Sequence, residues 1–210
     1  MTPAQQRVYG GETAVQRTER RRKAFIDSAV AVVAAGGWRQ LKVERIAEHA
    51  GIGKRYFYEC FTDLDALAAA VIDELGTEVL LLAVAPDNTV PLEQMVRSMA
   101  ANLTEYALAQ PDRLRVLFSE MAATEAAVRR RTEAVYRIVE VLAAEARAVH
   151  GDDHSLIDVA ATMLVNGSIQ AILDWLDGTL ALTRQQFIDH ITTMWLMISD
   201  GVRAAHGPRT

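Results

Sequence analysis

The sequence has 210 residues, of which 50% are apolar and 23% are charged, and its formal net charge is −5. A chain of this length buries enough apolar surface to fold as one or two soluble domains without a disulfide or metal staple. Its single cysteine excludes an internal disulfide framework. No segment resembles a signal peptide or an uncharged membrane-spanning run, so we expect a cytoplasmic protein. The acidic balance alone argues against a nucleic-acid partner.

The charge is unevenly distributed along the chain. Residues 1–60 carry eleven Lys or Arg and six Asp or Glu, a net charge of +5. Residues 61–210 carry eleven basic and twenty-one acidic residues, a net charge of −10. Each region produces its own field, so the N-terminal region can bind a polyanion although the whole chain is acidic.

Hydrophobic periodicity predicts an all-α chain of about nine helices and no sheet. Residues 1–16 have no hydrophobic period and are expected to form a disordered arm. Gly36 and Gly37 end the first helix, while Pro91 and Pro111 mark later helix starts. The predicted helices cover residues 17–36, 42–50, 54–60, 64–83, 91–110, 111–123, 125–149, 155–177 and 183–206.

Residues 43–61 have the pattern of a helix-turn-helix. Two short apolar-periodic segments meet at Gly51, which suits a tight turn between helices. In this motif the second helix enters the major groove of DNA by its N-terminal half. That half contains Lys54, Arg55 and Tyr56, which places two cations and a phenol where base edges and phosphates would lie.

Residues 22–67 resemble the N-terminal region of the TetR family of bacterial transcriptional repressors. The residues that carry the resemblance are Arg22, Phe25, Ile26, Ala29, Val32, Val33, Gly37, Trp38, Val43, Ile46, Ala47, Ala50, Gly51, Ile52, Phe57, Tyr58, Phe61, Asp65 and Leu67. The resemblance implies a DNA-binding domain over 17–63 and a ligand-binding and dimerisation domain over 64–210. It also implies a homodimer that binds a near-palindromic double-stranded DNA operator and leaves it when a small-molecule effector binds.

The chain departs from the pattern of that family at four positions. Lys42 and Gly53 stand where Thr or Ser usually caps a helix, and Tyr56 stands where a small residue is usual. Leu64 replaces a Lys that often contacts a phosphate. Base preferences of the family therefore do not carry over to this chain.

We expect DNA contacts from the second helix, its flanking residues and the N-terminal arginines. Lys54, Arg55 and Tyr56 are expected in the groove, where Arg55 can bind guanine through two hydrogen bonds. The resemblance implies that the hydroxyl of Tyr58 reaches a phosphate. The other expected contacts, mainly to the DNA backbone, are Lys42, Val43, Gly53, Arg17 and Arg21. A solvated charge run explains the arginines as well.

The last two predicted helices are apolar on more than one face, so both sides need to be covered. The second side most easily packs on a copy of itself, which gives a two-fold homodimer. The resemblance implies a four-helix bundle at that interface. The residues predicted for the interface are Leu164, Ala171, Trp175, Ile191, Trp195, Ile198 and Val202. Complete burial within a monomer is the alternative.

The ligand-binding residues are less clearly marked. The residues predicted to line an apolar cavity are Met99, Tyr106, Phe118, Met121 and Met163, although ordinary core positions have the same helical spacing. Asn166 and Gln170 belong to a polar stripe on an apolar helix. They can face a ligand, another helix, the partner subunit or solvent.

The sequence contains no nucleophile–base arrangement and no phosphate-binding loop, so we expect no enzyme and no cofactor. His150 and His154 lie four residues apart, but Gly151 breaks the helix that would align them, and we expect no metal site. The alternative function is a helix-turn-helix module that binds a protein partner in place of DNA.

Overall fold

A computed structural model describes residues 13–83, 90–118, 125–150 and 154–205. Within these ranges the chain forms nine α-helices, one short 3-10 helix and no strand, which confirms the predicted all-α class. The helices are α1 (Ala14–Gly36), α2 (Val43–Ala50), α3 (Lys54–Cys60), α4 (Leu64–Ala83), α5 (Leu92–Ala109), α6 (Pro111–Phe118), α7 (Glu125–His150), α8 (His154–Leu176) and α9 (Arg184–Ala205).

Helix α1 begins three residues before its predicted start because Thr13 caps it. The Thr13 hydroxyl accepts a hydrogen bond from the backbone N–H of Gln16 at 3.2 Å, and the Gln16 side chain accepts one from the N–H of Thr13 at 2.8 Å. This reciprocal capping box satisfies two backbone donors at the helix start. Residues 14–16 of the predicted arm are therefore helical, whereas residues 1–12 lie outside the described residues.

The chain divides into two compact units. The first, which we call the head, comprises residues 1–73 and 119–130, and the second, which we call the body, comprises residues 74–118 and 131–210. In the head, α1 contacts α2, α3 and the 3-10 helix Trp38–Gln40. In the body, α5 and α8 both contact α9, and α8 also contacts α5 and α6.

Three phenylalanine rings form the centre of the head. Phe25 of α1 meets Phe57 of α3 edge-on with ring centroids 5.6 Å apart, and Phe61 lies 5.7 Å from Phe57. All three side chains are buried. Such edge-to-face pairs contribute about 0.5–1.5 kcal/mol beyond the burial of apolar area. The rings therefore fix α3 against α1 and leave the opposite side of α3 to solvent.

Within the described residues, α8 is the one helix that is long and apolar enough by length and composition to cross a membrane. Ser155–Leu176 reaches a mean hydropathy of 1.6, and 22% of its most apolar 18-residue window is buried. Helices in the core of soluble proteins reach similar hydropathy. Helix α8 contacts α5, α6 and α9 on one side, and much of its remaining apolar surface is exposed.

Candidate functional site

Helices α2 and α3 form the helix-turn-helix that the sequence predicts. Gly51 ends α2 in the left-handed conformation, with φ +63°, where residues with a side chain are strained. The backbone N–H of Ile52 donates to the carbonyl of Ala47 at 3.0 Å, which closes the turn. Gly53 then precedes α3 in extended conformation, and its carbonyl accepts from the N–H of Tyr56 at 2.9 Å. The turn thus fixes the direction in which α3 leaves α2.

The exposed positions of α3 carry the predicted DNA-contacting side chains. Lys54, Arg55, Tyr56 and Tyr58 are all exposed, and the Arg55 side chain is 87% exposed. These side chains present three kinds of hydrogen-bonding group on a short length of helix: an ammonium, a guanidinium and two phenols. The arrangement suits contacts to phosphates and to base edges.

The flanking residues lie where the helix ends meet solvent. Lys42 is exposed and immediately precedes α2, and Gly53 is also exposed. The side chain of Val43 is buried, so this residue offers its backbone N–H rather than its side chain. The first N–H groups of a helix have no partner within the helix and attract anions.

Lys54 and Arg55 of α3 form ion pairs with carboxylates, and these pairs are exposed to solvent. Lys54 Nζ lies 2.5 Å from Glu44 Oε1, and this hydrogen bond lowers the pKa of Glu44. Arg55 Nε lies 3.3 Å from one oxygen of Glu59, whose other oxygen lies 3.6 Å from Arg21. Exposed pairs of this kind contribute little to stability because water and salt screen them. They orient the cations and are weak enough to be exchanged for phosphate contacts.

Arg21 connects the basic start of α1 to α3. Its guanidinium carbon lies 3.9 Å from the centre of the Tyr56 ring, within the range of a cation–π contact. Arg17 lies one turn before Arg21 on the same helix and is half-buried. The structure therefore brings the predicted α1 cation Arg21 next to the predicted groove residue Tyr56.

The body contains an apolar cavity of about 80 Å³, which we call cavity A. It lies among helices α4 to α9. Its walls include Val79, Val96, Met99, Ala100, Leu103, Thr104, Leu114, Phe118, Leu142, Val165, Ser168, Ile172, Phe187, Ile191 and Trp195. Two of its polar side chains are already paired: Thr104 Oγ1 donates to the carbonyl of Ala100 at 2.6 Å, and Trp195 Nε1 donates to Ser168 Oγ at 3.0 Å.

A second cavity of about 90 Å³, which we call cavity B, shares part of its wall with cavity A. The shared residues are Val96, Met99, Leu142 and Trp195. Glu145 of α7 is the one titratable side chain among the residues that line cavity B. Burial raises the pKa of this carboxyl group, because the ionised form loses hydration there.

The residues predicted to bind a ligand are distributed over several places. Met99 and Phe118 line cavity A, and Met99 also lines cavity B. Met163 is 64% exposed. Asn166 and Gln170 are exposed and bond within α8, to the carbonyl of Thr162 at 2.9 Å and to Asp174 at 2.8 Å respectively. Met121 lies outside the described residues.

Tyr106 belongs to a polar network in the body. Its hydroxyl donates to Glu78 at 2.5 Å, and Arg113 donates to Glu78 at 2.6 Å and to Glu74 at 3.0 Å. The Arg113 side chain is only 13% exposed. This network joins α4, α5 and α6, so the predicted ligand residue Tyr106 has structural partners in the described chain.

Most residues predicted for a dimer interface contact the interior of the body. Leu164, Trp195, Ile198 and Val202 line cavity B, and Ile191 and Trp195 line cavity A. The ring of Trp175 stacks on Phe187 at 4.7 Å. Ala171 is partly exposed. Ile198 and Val202 also line an open groove with Leu156, Val159, Met163 and Met197. The exposed large apolar side chains of α8 and α9, which we call the α8–α9 face, are Leu156, Val159, Met163, Met194 and Met197.

Sequence reasoning did not assign Glu145, Thr104 or Ser168 to a site. A signal for Glu145 was present, because this acidic residue directly follows an apolar stretch of α7 and precedes Ala146. Among the described residues, no three His, Cys, Asp or Glu side chains come together as a metal site. The side chains of His150 and His154 lie outside what the structure describes.

Comparisons with known proteins agree with the geometry of the head. Residues 25–71 match the sequence model of one family, described as bacterial regulatory proteins, tetR family. The matched segment includes all of α2 and α3 and the ring core of the head.

Solved structures of three bacterial regulators resemble the chain over most of its length. A TetR-like transcriptional regulator from Rhodococcus sp. RHA1 is 20% identical, with a TM-score of 0.65, covering 90% of this chain and 97% of that one. A transcriptional regulator from Pseudomonas aeruginosa PAO1 is 17% identical, with a TM-score of 0.72 and coverages of 89% and 94%. The regulator FadR from Bacillus subtilis, in complex with stearoyl-CoA, is 14% identical, with a TM-score of 0.66 and coverages of 85% and 98%. At these identities the likeness shows a shared fold.

Proposed function

Starting from a head that belongs to the tetR family of bacterial regulatory proteins, we propose that this chain is a ligand-responsive transcriptional repressor. It binds a near-palindromic DNA operator as a homodimer and leaves the operator when a small molecule binds the body. The observation that carries the proposal is the exposed group Lys54, Arg55, Tyr56 and Tyr58 on a helix that Phe57 anchors to α1.

The DNA contacts divide into groups that read bases and groups that hold phosphates. With α3 in the major groove, Arg55 reaches base edges and can bind guanine through two hydrogen bonds. Tyr58 and the N-terminal end of α2, with Lys42 and the N–H of Val43, hold phosphates. On binding, Arg55 exchanges its contact with Glu59 for a base, since the ion pair is exposed and weak.

The α8–α9 face supports a two-fold dimer. Val159 and Met163 on α8 and Met194 and Met197 on α9 are each more than half exposed in the protomer. Contiguous apolar side chains of this kind mark interaction sites on soluble proteins. A copy of the same face covers them in an isologous interface. The predicted interface residues Ile198 and Val202 line a groove in this face, and Leu164 lies behind it, toward cavity B.

The cavities of the body support the binding of an effector. Ligand sites are typically concave and mostly apolar, with few polar groups, and cavity A fits this description. The solved FadR structure from Bacillus subtilis holds stearoyl-CoA. For this chain we propose that the effector enters cavity A and stabilises the state of the dimer that does not bind DNA.

The experiment that tests the proposal is selection of random DNA duplexes by the full-length chain, followed by sequencing. We expect enrichment of near-palindromes with half-sites about 10 base pairs apart, because a two-fold dimer presents two copies of α3. Sedimentation of the same preparation should show a dimer. A folded chain that enriches no duplex would overturn the proposal, and retention of a specific protein partner in its place would favour the interaction module.

Two variants separate base reading from phosphate binding. Arg55→Ala should lose about 1–3 kcal/mol of discrimination between the selected site and random DNA. Arg21→Ala should weaken both alike and reduce the slope of affinity against salt by about one. Arg203→Ala is the matched control, because it removes the same charge from exposed α9 of the body. Equal losses on both DNAs for Arg55→Ala and Arg21→Ala would reject this division.

A further inference from the structure

Cavity A offers apolar contact and little else. The hydroxyl of Thr104 is paired with its own helix, and the Trp195 N–H is paired with Ser168. A polar group of a ligand placed here would find few partners to replace its hydration, which is costly. The part of a ligand that occupies cavity A is therefore hydrocarbon.

Cavity B differs from cavity A in having a titratable residue in its wall. Glu145 stands in a wall that is otherwise formed mainly by side chains such as Leu92, Ile157 and Val202. Among the described residues, no cation is paired with this carboxylate. A carboxylate in apolar surroundings is stabilised by a positive partner, and a negative ligand group beside it would be repelled. Cavity B therefore selects the charge of its ligand.

The two cavities are separated by few side chains. Met99 and Trp195 line both, together with Val96 and Leu142. Met99 is unbranched and has three rotatable side-chain bonds, so it can repack around a bound molecule. Each cavity, at about 80 Å³ and 90 Å³, is smaller than an engineered cavity of about 150 Å³ that holds benzene. A ligand larger than a short chain has to occupy both.

We propose that the effector is an elongated lipophilic cation whose hydrocarbon body lies in cavity A and whose positively charged nitrogen lies beside Glu145 in cavity B. This inference rests on the proposed function only in taking the body as the effector-binding unit. It adds the chemical class of the effector and assigns charge recognition to one residue.

The test compares three probes with the same eight-carbon chain: octyltrimethylammonium, octanol and octanoate. Each is titrated into the full-length chain by calorimetry, below the concentration at which it forms micelles. We expect the ammonium to bind most tightly and octanoate most weakly. Glu145→Gln should weaken the ammonium about tenfold or more and leave octanol within about twofold, because a charge-assisted contact is lost while the apolar walls remain. Glu145→Asp should retain the preference.

A matched control removes the effect of overall charge. Glu140 is exposed on the same helix as Glu145, so Glu140→Gln changes the net charge equally without touching a cavity wall. It should leave all three affinities unchanged. Ala100→Leu, which fills cavity A, should weaken octyltrimethylammonium and octanol alike.

Several results would overturn the inference: no binding of the ammonium, equal affinity for octanoate, or an equal effect of Glu140→Gln and Glu145→Gln. These titrations need no DNA. Failure of the chain to enrich any duplex would overturn the proposed function and leave the charge preference measurable. Conversely, a DNA-binding dimer that prefers octanoate would reject the cationic effector alone.

Discussion

The head and the body both carry exposed ion pairs, but they differ in where their aromatic rings lie and in whether an ion pair is nearly buried. In the head, phenylalanine rings fill the core, and the ion pairs of Lys54 and Arg55 lie in water. In the body, Phe118 and Trp195 line a cavity, and Arg113 is nearly buried between its carboxylate partners. Weak exposed ion pairs suit a DNA-binding surface, because its cations have to exchange carboxylates for phosphates. A partly buried polar network suits a region with a cavity, because it links the helices around the empty space.

Truncation of the ring core should have the largest effect. Phe57→Ala should destabilise the head by about 3–5 kcal/mol, because a fully buried ring is lost between α1 and α3. Hydrogen–deuterium exchange should show reduced protection in α1 to α3, and DNA binding should disappear. Arg55→Ala, at an exposed position of the same helix, should cost less than about 0.5 kcal/mol. If α8 and α9 of the body lost protection to a similar extent, the ring core would not act on the head alone.

A matched pair of alanines tests whether the two interiors differ in free space. Ala47 in the head and Ala100 in the body are both helical and both 6% exposed, but only Ala100 lines cavity A. Ala47→Leu should cost about 1–3 kcal/mol through overpacking. Ala100→Leu should be nearly neutral or stabilising, because the new side chain extends into the cavity. Urea midpoints of the two variants measure the difference, and the reverse order would mean that cavity A is closed in solution.

The partly buried network of Tyr106, Glu78 and Arg113 should be visible in the dependence of stability on pH. Burial and the hydrogen bond to Glu78 raise the pKa of Tyr106 above its ordinary value of 10.0. The folded chain therefore keeps this proton at a pH at which the unfolded chain releases it. The stabilisation by Tyr106 is complete below pH 10 and is lost as the pH rises further.

Tyr106→Phe should accordingly cost about 1 kcal/mol at neutral pH, through loss of one hydrogen bond. The difference from the unmodified chain should shrink above pH 10, and urea unfolding on both sides of that pH measures it. Tyr136→Phe removes a phenol that is exposed on α7 and is the control, since it should leave the alkaline loss in place. A constant difference at all pH values would argue against a buried Tyr106–Glu78 contact.

The helices and the helix-turn-helix could be predicted from the sequence because their signals are local. Gly51, Gly53 and Pro111 mark boundaries that the structure keeps within one residue. The start of α1 was placed three residues late, although Thr13 and Gln16 have the spacing of a capping box. The polar composition of residues 1–16 predicts a disordered arm, and the short capping-box pattern within it is easily overlooked.

The assignment of faces in the body could not be predicted, because it depends on contacts between distant parts of the chain. Helices α8 and α9 are apolar on two sides, so periodicity does not distinguish the side that lines a cavity from the side that is exposed. Trp195 lines the cavities, and Met197, two residues later, is exposed. Likewise, Arg113 and Glu78 are 35 residues apart, and no local pattern connects them.

The smallest expected effect concerns the exposed pairs of the head. Glu44→Gln should raise affinity for random DNA a few-fold and make its salt dependence steeper by about 0.9, because Lys54 no longer has a carboxylate competing with phosphate. Discrimination between the selected site and random DNA should fall.

Fluorescence anisotropy with labelled duplexes at several salt concentrations measures both effects. Glu48→Gln is the control, because Glu48 is exposed on the same helix but is not the partner of Lys54. If the affinity for random DNA rises equally in both variants, the increase comes from the overall electrostatic field of the head. If only Glu44→Gln gains affinity for random DNA, the ion pair itself holds Lys54 back from non-specific phosphates, which is a function that a partly buried pair such as Arg113 with Glu78 cannot perform.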